Sequence, residues 1–124
     1  MGVLAKLFGP RVTTVTPEEA EALRRDGAVL VDVRERNEWD GGHAPKARHV
    51  PLGQLHQGMD RLPADRSLVV ICASGHRSAR GARILAAEGY EVVSVRGGML
   101  AWRSAGLPVV GARGGRSGRR GRVA

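Results

Sequence analysis

The chain has 124 residues, 42% of them hydrophobic, 3% aromatic and 26% charged, with one cysteine and a formal net charge of +8. That length fits one domain able to bury a real core, and a single cysteine excludes both an internal disulfide and a multi-cysteine zinc site. The charge points first to nucleic acid, but Arg113, Arg116, Arg119, Arg120 and Arg122 crowd into the last fourteen residues, and setting those five aside leaves +3 for the rest.

Residues 1–10 read as an N-terminal extension. MGVLAKLFGPR has too few apolar residues before Gly9 and Pro10 for a secretory signal or a membrane span, and Lys6 stands where a myristoylation start needs Ser or Thr. A cytoplasmic, reducing setting is the expectation, and a free thiol persists there.

Arg11 to Val15 reads as a short edge strand. Thr16-Pro17-Glu18-Glu19 then supplies an N-cap, a proline at the first helical position and acids in the first turn, and Gly27 stops the helix after Arg24 and Arg25. Ala28 to Val33 is a second, buried strand carrying Asp32 and followed by Arg34. Carboxyl ends of parallel strands line the ligand crevice, so this pair should lie on the same side as the cysteine, as an ion pair pinning the loop. Glu35 to Gly42 suits a helical turn with Trp39 as packing. Ala47 to Leu52 suggests a third strand, and His43 and His49 are expected as hydrogen-bonded structural histidines rather than bases. Leu55, Met59 and Leu62 recur at helical spacing before a turn at Pro63-Ala64-Asp65.

Leu68 to Ile71 is a brief apolar, β-branched run that fits the central strand of a parallel sheet. Cys72 follows it, then Ala73, Ser74, Gly75, His76, Arg77 and Ser78, where a helical pattern begins. A lone cysteine at the end of a core strand is by itself an inert small hydrophobe. Here small residues, a glycine and a helix start make a cradle of inward N–H groups, which with Arg77 should hold Cys72 as a nucleophilic thiolate.

Ala79, Ala82, Ile84, Leu85 and Ala86 form the face of the next helix, which Gly89 ends. Glu91 to Val95 is a further strand, Gly97-Gly98 a tight turn, and Met99 to Ala105 a last helix with Trp102 inward. Strands alternating with helices imply an α/β domain over residues 11–110, with a mostly parallel five-stranded sheet and helices on both faces. Residues 111–124 (GARGGRSGRRGRVA) cannot bury anything and are expected to be a disordered tail. Its five arginines without an acid would bind polyanions weakly, whatever the polyanion's sequence, but charge runs commonly stay solvated, and a solvated tail with no further role is the favoured reading.

Four separated motifs, LVDVRERNEW, GHAPKARHVPL, CASGHRS and GGMLAWRSAGLPV, together resemble a single-domain rhodanese, a sulfurtransferase fold, over about Arg11 to Val110. The resemblance implies that Cys72 carries sulfur as a persulfide and that the N–H groups of Ala73 through Arg77 hold the sulfur and the developing anion. Asp32 and Arg34 match family positions that support this loop, and Ser78 stands beside them. Lys46 departs from the family, which usually has glycine after His-x-Pro, so the turn before the third strand is expected to differ. Ala73 departs too, standing where some members carry a charged, substrate-selecting residue.

The implied reaction moves sulfane sulfur from a donor such as thiosulfate to cyanide, a thiol or an acceptor protein, with no metal, organic cofactor or membrane, in a monomer. Two alternatives share the architecture. Cys72 to Arg77 is C-x4-R, one residue shorter than the C-x5-R loop of dual-specificity phosphatases and arsenate reductases, and a shorter ring suits a single sulfur better than a tetrahedral phosphate. A non-catalytic interaction module on the same fold would not need the intact cysteine cradle.

Overall fold

Val29–Asp32 (β2) and Leu68–Ile71 (β4) are buried at every residue, as strands covered on both faces must be, and they pair in parallel from Val29 against Leu68 to Asp32 against Ile71. The period of two sorts their side chains into two cores. Val29, Val31, Val33, Leu68, Val70 and Cys72 meet Leu55, Met59, Leu62, Ala82 and Leu85 on one face. Leu30, Val69, Ile71 and Val95 meet Ala20, Met99 and Trp102 on the other.

This computed structural model describes residues 12–111. Thr13–Val15 (β1), Arg48–His49 (β3) and Val92–Val95 (β5) complete a wholly parallel sheet of order β1-β5-β4-β2-β3, so the strand that ends at the cysteine is central, as expected. Pro17–Arg25 (α1) and Gly98–Ser104 (α5) cover one face, while Leu55–Gly58 (α3) and His76–Ala87 (α4) cover the other. Arg36–Asp40 (α2) lies between β2 and β3 in the chain. A capping box opens α1: Glu19 N–H donates to Thr16 Oγ1 at 3.1 Å, and Thr16 N–H donates to Glu19 Oε1 at 2.8 Å.

Two elements are shorter than their patterns suggest. The third strand keeps only Arg48–His49, because a turn closed by Ala47 N–H to Ala44 O at 3.3 Å precedes it and Pro51 follows. In that turn Lys46 adopts φ +64°, the left-handed conformation for which glycine is favoured. The stretch after β3 is broken into one turn of α3 between two 3₁₀ turns, Leu52–Gln54 and Met59–Arg61, although Leu55, Met59 and Leu62 are buried as the spacing requires. The N-terminal extension, Arg11 and tail positions 112–124 lie outside the described residues. No helix among the described residues is long and apolar enough to cross a membrane.

Candidate active site

Cys72 sits where β4 gives way to the loop, and the residue is 1% exposed. Gly75 takes φ +115° as the N-cap of α4, a conformation open to glycine, and its N–H donates to Cys72 Sγ at 3.0 Å. Burial pushes the thiol up; the Ser78 hydroxyl and the N–H groups of Ser78, Gly75 and Ser74 more than reverse this, leaving its pKa below the ordinary value. Ser78 is fully buried, its hydroxyl 3.1 Å from the Gly75 carbonyl and 2.8 Å from Ser94 Oγ. The single hydroxyl proton of Ser78 can serve either that carbonyl or the sulfur. Ser94 is able to donate to Ser78 and so leave that proton free for the sulfur.

The lowered pKa does not come chiefly from Arg77. Its guanidinium makes a two-pronged ion pair with Glu38 of α2, Nη1 to Oε1 at 2.7 Å and Nη2 to Oε2 at 2.8 Å. That pair holds the Glu38 carboxyl down to about 2, by the bonds from Arg77 first, against a smaller effect of burial. It also raises Arg77, on which the Cys72 charge acts only as a lesser influence. Arg77 therefore ties the start of α4 to α2 across the rim of the loop. His76 opens α4 and is exposed, as is Ser74.

Asp32 and Arg34 form the buried pair that the sequence suggests. Arg34 Nε reaches both carboxylate oxygens of Asp32 at 3.0 and 3.1 Å, Nη2 donates to Oδ2 at 2.9 Å, and the Arg34 N–H donates to Oδ1 at 3.0 Å. Nη2 also donates to the Gly42 carbonyl at 2.8 Å, so the pair pins both the turn after β2 and the one after α2. Asp32 is level with Ile71, one residue before Cys72, which puts this clamp beside the cysteine strand.

The last helix closes the loop from behind. Met99 N–H donates to the Cys72 carbonyl at 2.7 Å and Leu100 N–H to the Ala73 carbonyl at 3.0 Å. Such an approach requires glycine at 98. Its φ is +56°, and a Cβ there would collide with the Cys72 carbonyl oxygen and stand 2.6 Å from the carbonyl carbon and oxygen of Ala73. What reads in sequence as a tight turn is a backbone-to-backbone seat for the cysteine loop.

His43 and His49 are both occupied structurally. Trp39 stacks on His43 at 3.5 Å between ring centroids and on His49 at 4.7 Å, and His49 Nε2 donates to the Arg34 carbonyl at 2.7 Å. No group of three or more metal-ligating side chains clusters among the described residues. Sequence reasoning missed Glu38, Ser94 and the role of Gly98. A polar residue inside EVVSV was the one available signal: Ser94, 1% exposed, shares a sheet face with Val92, where α4 packs.

Fold and site together define a class: a parallel α/β domain that presents one cysteine on a strand, loop and helix N-terminus lined with N–H groups. The chain belongs to the rhodanese-like domain family, whose profile matches residues 16–105. It is 37% identical over 91 residues to the thiosulfate sulfurtransferase GlpE of Pseudomonas savastanoi pv. phaseolicola, covering 73% of this chain and 86% of that protein. A rhodanese-related protein of Thermoplasma volcanium superposes with a TM-score of 0.70 at 31% identity, covering 82% of this chain and 98% of that one. A Rhodopseudomonas palustris protein of unknown function, described as a possible tyrosine phosphatase, matches with a TM-score of 0.71 at 31% identity, over 80% of this chain and 85% of its own.

Proposed function

We propose that the protein is a thiosulfate sulfurtransferase working by double displacement through Cys72. The observation that carries this reading is the sulfur itself, buried yet lowered in pKa by the N–H groups and hydroxyl of its own loop. In the first step the Cys72 thiolate attacks the outer sulfur of thiosulfate. A new S–S bond forms on Cys72, the bond to the sulfonate sulfur breaks, and its electron pair leaves with sulfite. In the second step cyanide, a thiol or an acceptor protein's thiolate attacks the outer sulfur of the persulfide, and Cys72 returns to thiolate. The main-chain donors of the loop from Ala73 to Arg77 stabilise the charge on the outer sulfur and on the departing anion. No organic cofactor or metal takes part.

Arg77 and Glu38 support this reading over phosphoryl transfer. A guanidinium held at 2.7 and 2.8 Å by a carboxylate is not aimed at a phosphate in the ring. Intact mass spectrometry after thiosulfate treatment tests the proposal: one added sulfur atom on the wild type, and none on Cys72→Ser. The same preparations assayed with cyanide and with an aryl phosphate separate the chemistries. Substantial transfer by Cys72→Ser, or aryl phosphate turnover exceeding sulfur transfer, refutes the assignment. The arginine- and glycine-rich segment 111–124 is dispensable for sulfur transfer in this reading and is a candidate for weak, sequence-independent polyanion contact. Its deletion leaves sulfur transfer unchanged and abolishes retention on RNA at low salt; a severalfold fall in turnover at equal stability overturns that division.

A further inference from the structure

The edge strand β3 borders a cleft of about 340 Å³ that shares no residue with the cysteine loop. Its floor is Val50, Gly58 and Leu62, drawn tight because a Cβ on Gly58 would stand 2.8 Å from Val50 Cγ1. Its walls are Arg48, His49, Gln54, Gln57 and Arg61, of which the arginines and glutamines can donate hydrogen bonds to a ligand. Two of them are anchored. Arg48 Nη1 donates to the Arg61 carbonyl at 3.1 Å, and His49 donates to the Arg34 carbonyl at 2.7 Å.

The arginines of this cleft lack the carboxylate partners that several others of the domain have. Arg24, Arg34, Arg36 and Arg77 each face a carboxylate, from Glu21, Asp32, Asp40 and Glu38. Arg48 and Arg61 form no ion pair among the described residues, and no Asp or Glu lines the cleft. Asp60, next to Arg61 in the chain, lines a different depression with Met59 and Tyr90. Two guanidinia are thus held in one concavity without a counter-charge, over an apolar floor, in a volume at the small end of ligand sites.

We infer that this cleft binds a small organic anion, an apolar body bearing a carboxylate or phosphate, gripped by Arg48 and Arg61 and seated on Val50 and Leu62. The site stands apart from sulfur transfer and does not rest on it. Titrating the ¹⁵N-labelled full chain with phenyl phosphate, benzoate and inorganic phosphate tests the inference residue by residue. One of the two aromatic anions should give saturable shifts at His49, Gln54, Gln57, Gly58 and Leu62, more tightly than inorganic phosphate because only it uses the floor; which one wins identifies the anionic group. The double variant Arg48→Ala, Arg61→Ala should weaken that binding about tenfold or more and leave the Cys72 alkylation rate unchanged. Gln57→Glu, at an exposed position, adds the missing carboxylate and should abolish binding even if the double variant is unstable. Shifts that do not saturate, that spread over arginines throughout the chain, or that survive Gln57→Glu overturn the inference.

Discussion

Replacing Gly98 with alanine tests whether the last helix shapes the cysteine loop, and Gly106→Ala supplies the control. Both glycines have positive φ, +56° at Gly98 and +74° at Gly106, but a Cβ at Gly106 meets nothing within 4 Å. The left-handed backbone alone costs an alanine about 1–2 kcal/mol at either site, and the entropy removed from the unfolded chain is the same for both. Only Gly98 adds the collision with the Cys72 carbonyl and the 2.6 Å approach to Ala73. Main-chain atoms cannot swing aside, so α5 must retreat and loosen the bonds from Met99 and Leu100, which are 2.7 and 3.0 Å long. Losing two such bonds at carbonyls with little water to replace them costs about 1–3 kcal/mol each. Gly98→Ala should therefore be less stable than Gly106→Ala by about 2–6 kcal/mol, a large part of the 5–15 kcal/mol typical of a domain. Urea unfolding measures the difference, and iodoacetamide alkylation against pH reports on the loop, with the Cys72 midpoint displaced only in Gly98→Ala. Equal stability of the two variants, together with an unmoved midpoint, would refute the claim that α5 holds the loop.

Three further outcomes follow from the geometry. Lys46→Gly relieves a left-handed lysine at φ +64° and should stabilise the domain by roughly 0.5–1 kcal/mol after the greater unfolded-state freedom of glycine is counted; a destabilised variant would show that the lysine side chain matters more than its backbone. Because the bonds from Arg77 hold the Glu38 carboxyl down to about 2 in the folded domain, below its ordinary 4.5, the Glu38–Arg77 pair stabilises the fold fully above pH 4.5 and loses that contribution as pH falls through 2. The stability gap between wild type and Glu38→Gln should accordingly shrink across that window, by about 1 kcal/mol or less at this half-exposed rim, and a gap independent of pH contradicts the assignment. Ser78→Ala removes a hydroxyl that favours the charged sulfur, so the pH midpoint of Cys72 alkylation should rise; an unmoved midpoint would leave the main-chain donors as the whole cause.

The parts of this fold legible in the sequence are those set by local pattern. Leu68–Ile71 announces a doubly buried strand by four apolar residues in a row, and Thr16 to Glu19 announces a helix start by its own hydrogen-bonding chemistry. The cysteine, its glycine and the following helix are contiguous, so the loop's place in the fold is legible from the sequence alone. What stayed hidden depends on pairing at a distance. Glu38 and Arg77 are 39 residues apart, and Ser78 and Ser94 are 16 apart, so no periodicity links them. Charge alone suggested that Arg77 would face the sulfur, whereas the bidentate match to Glu38 outweighs a single thiolate. The third strand is shorter than the β-forming run ARHVPL suggests, because a turn on one side and Pro51 on the other leave room for only two paired residues.

Pairing the first strand with the last also fixes an order of events during synthesis. Val93 to Val95 must leave the ribosome before Thr13 to Val15 have a partner, and until then the free side of β4, four buried apolar residues long, is an open sheet edge. Such an edge recruits strands from neighbouring chains. Residues 97–100, which seat the cysteine loop, emerge later still, so a nascent chain already displaying Cys72 cannot yet hold it as the finished domain does. A chain cut between residues 72 and 97 would therefore keep that edge open, aggregate, and carry a thiol that reacts as an ordinary cysteine.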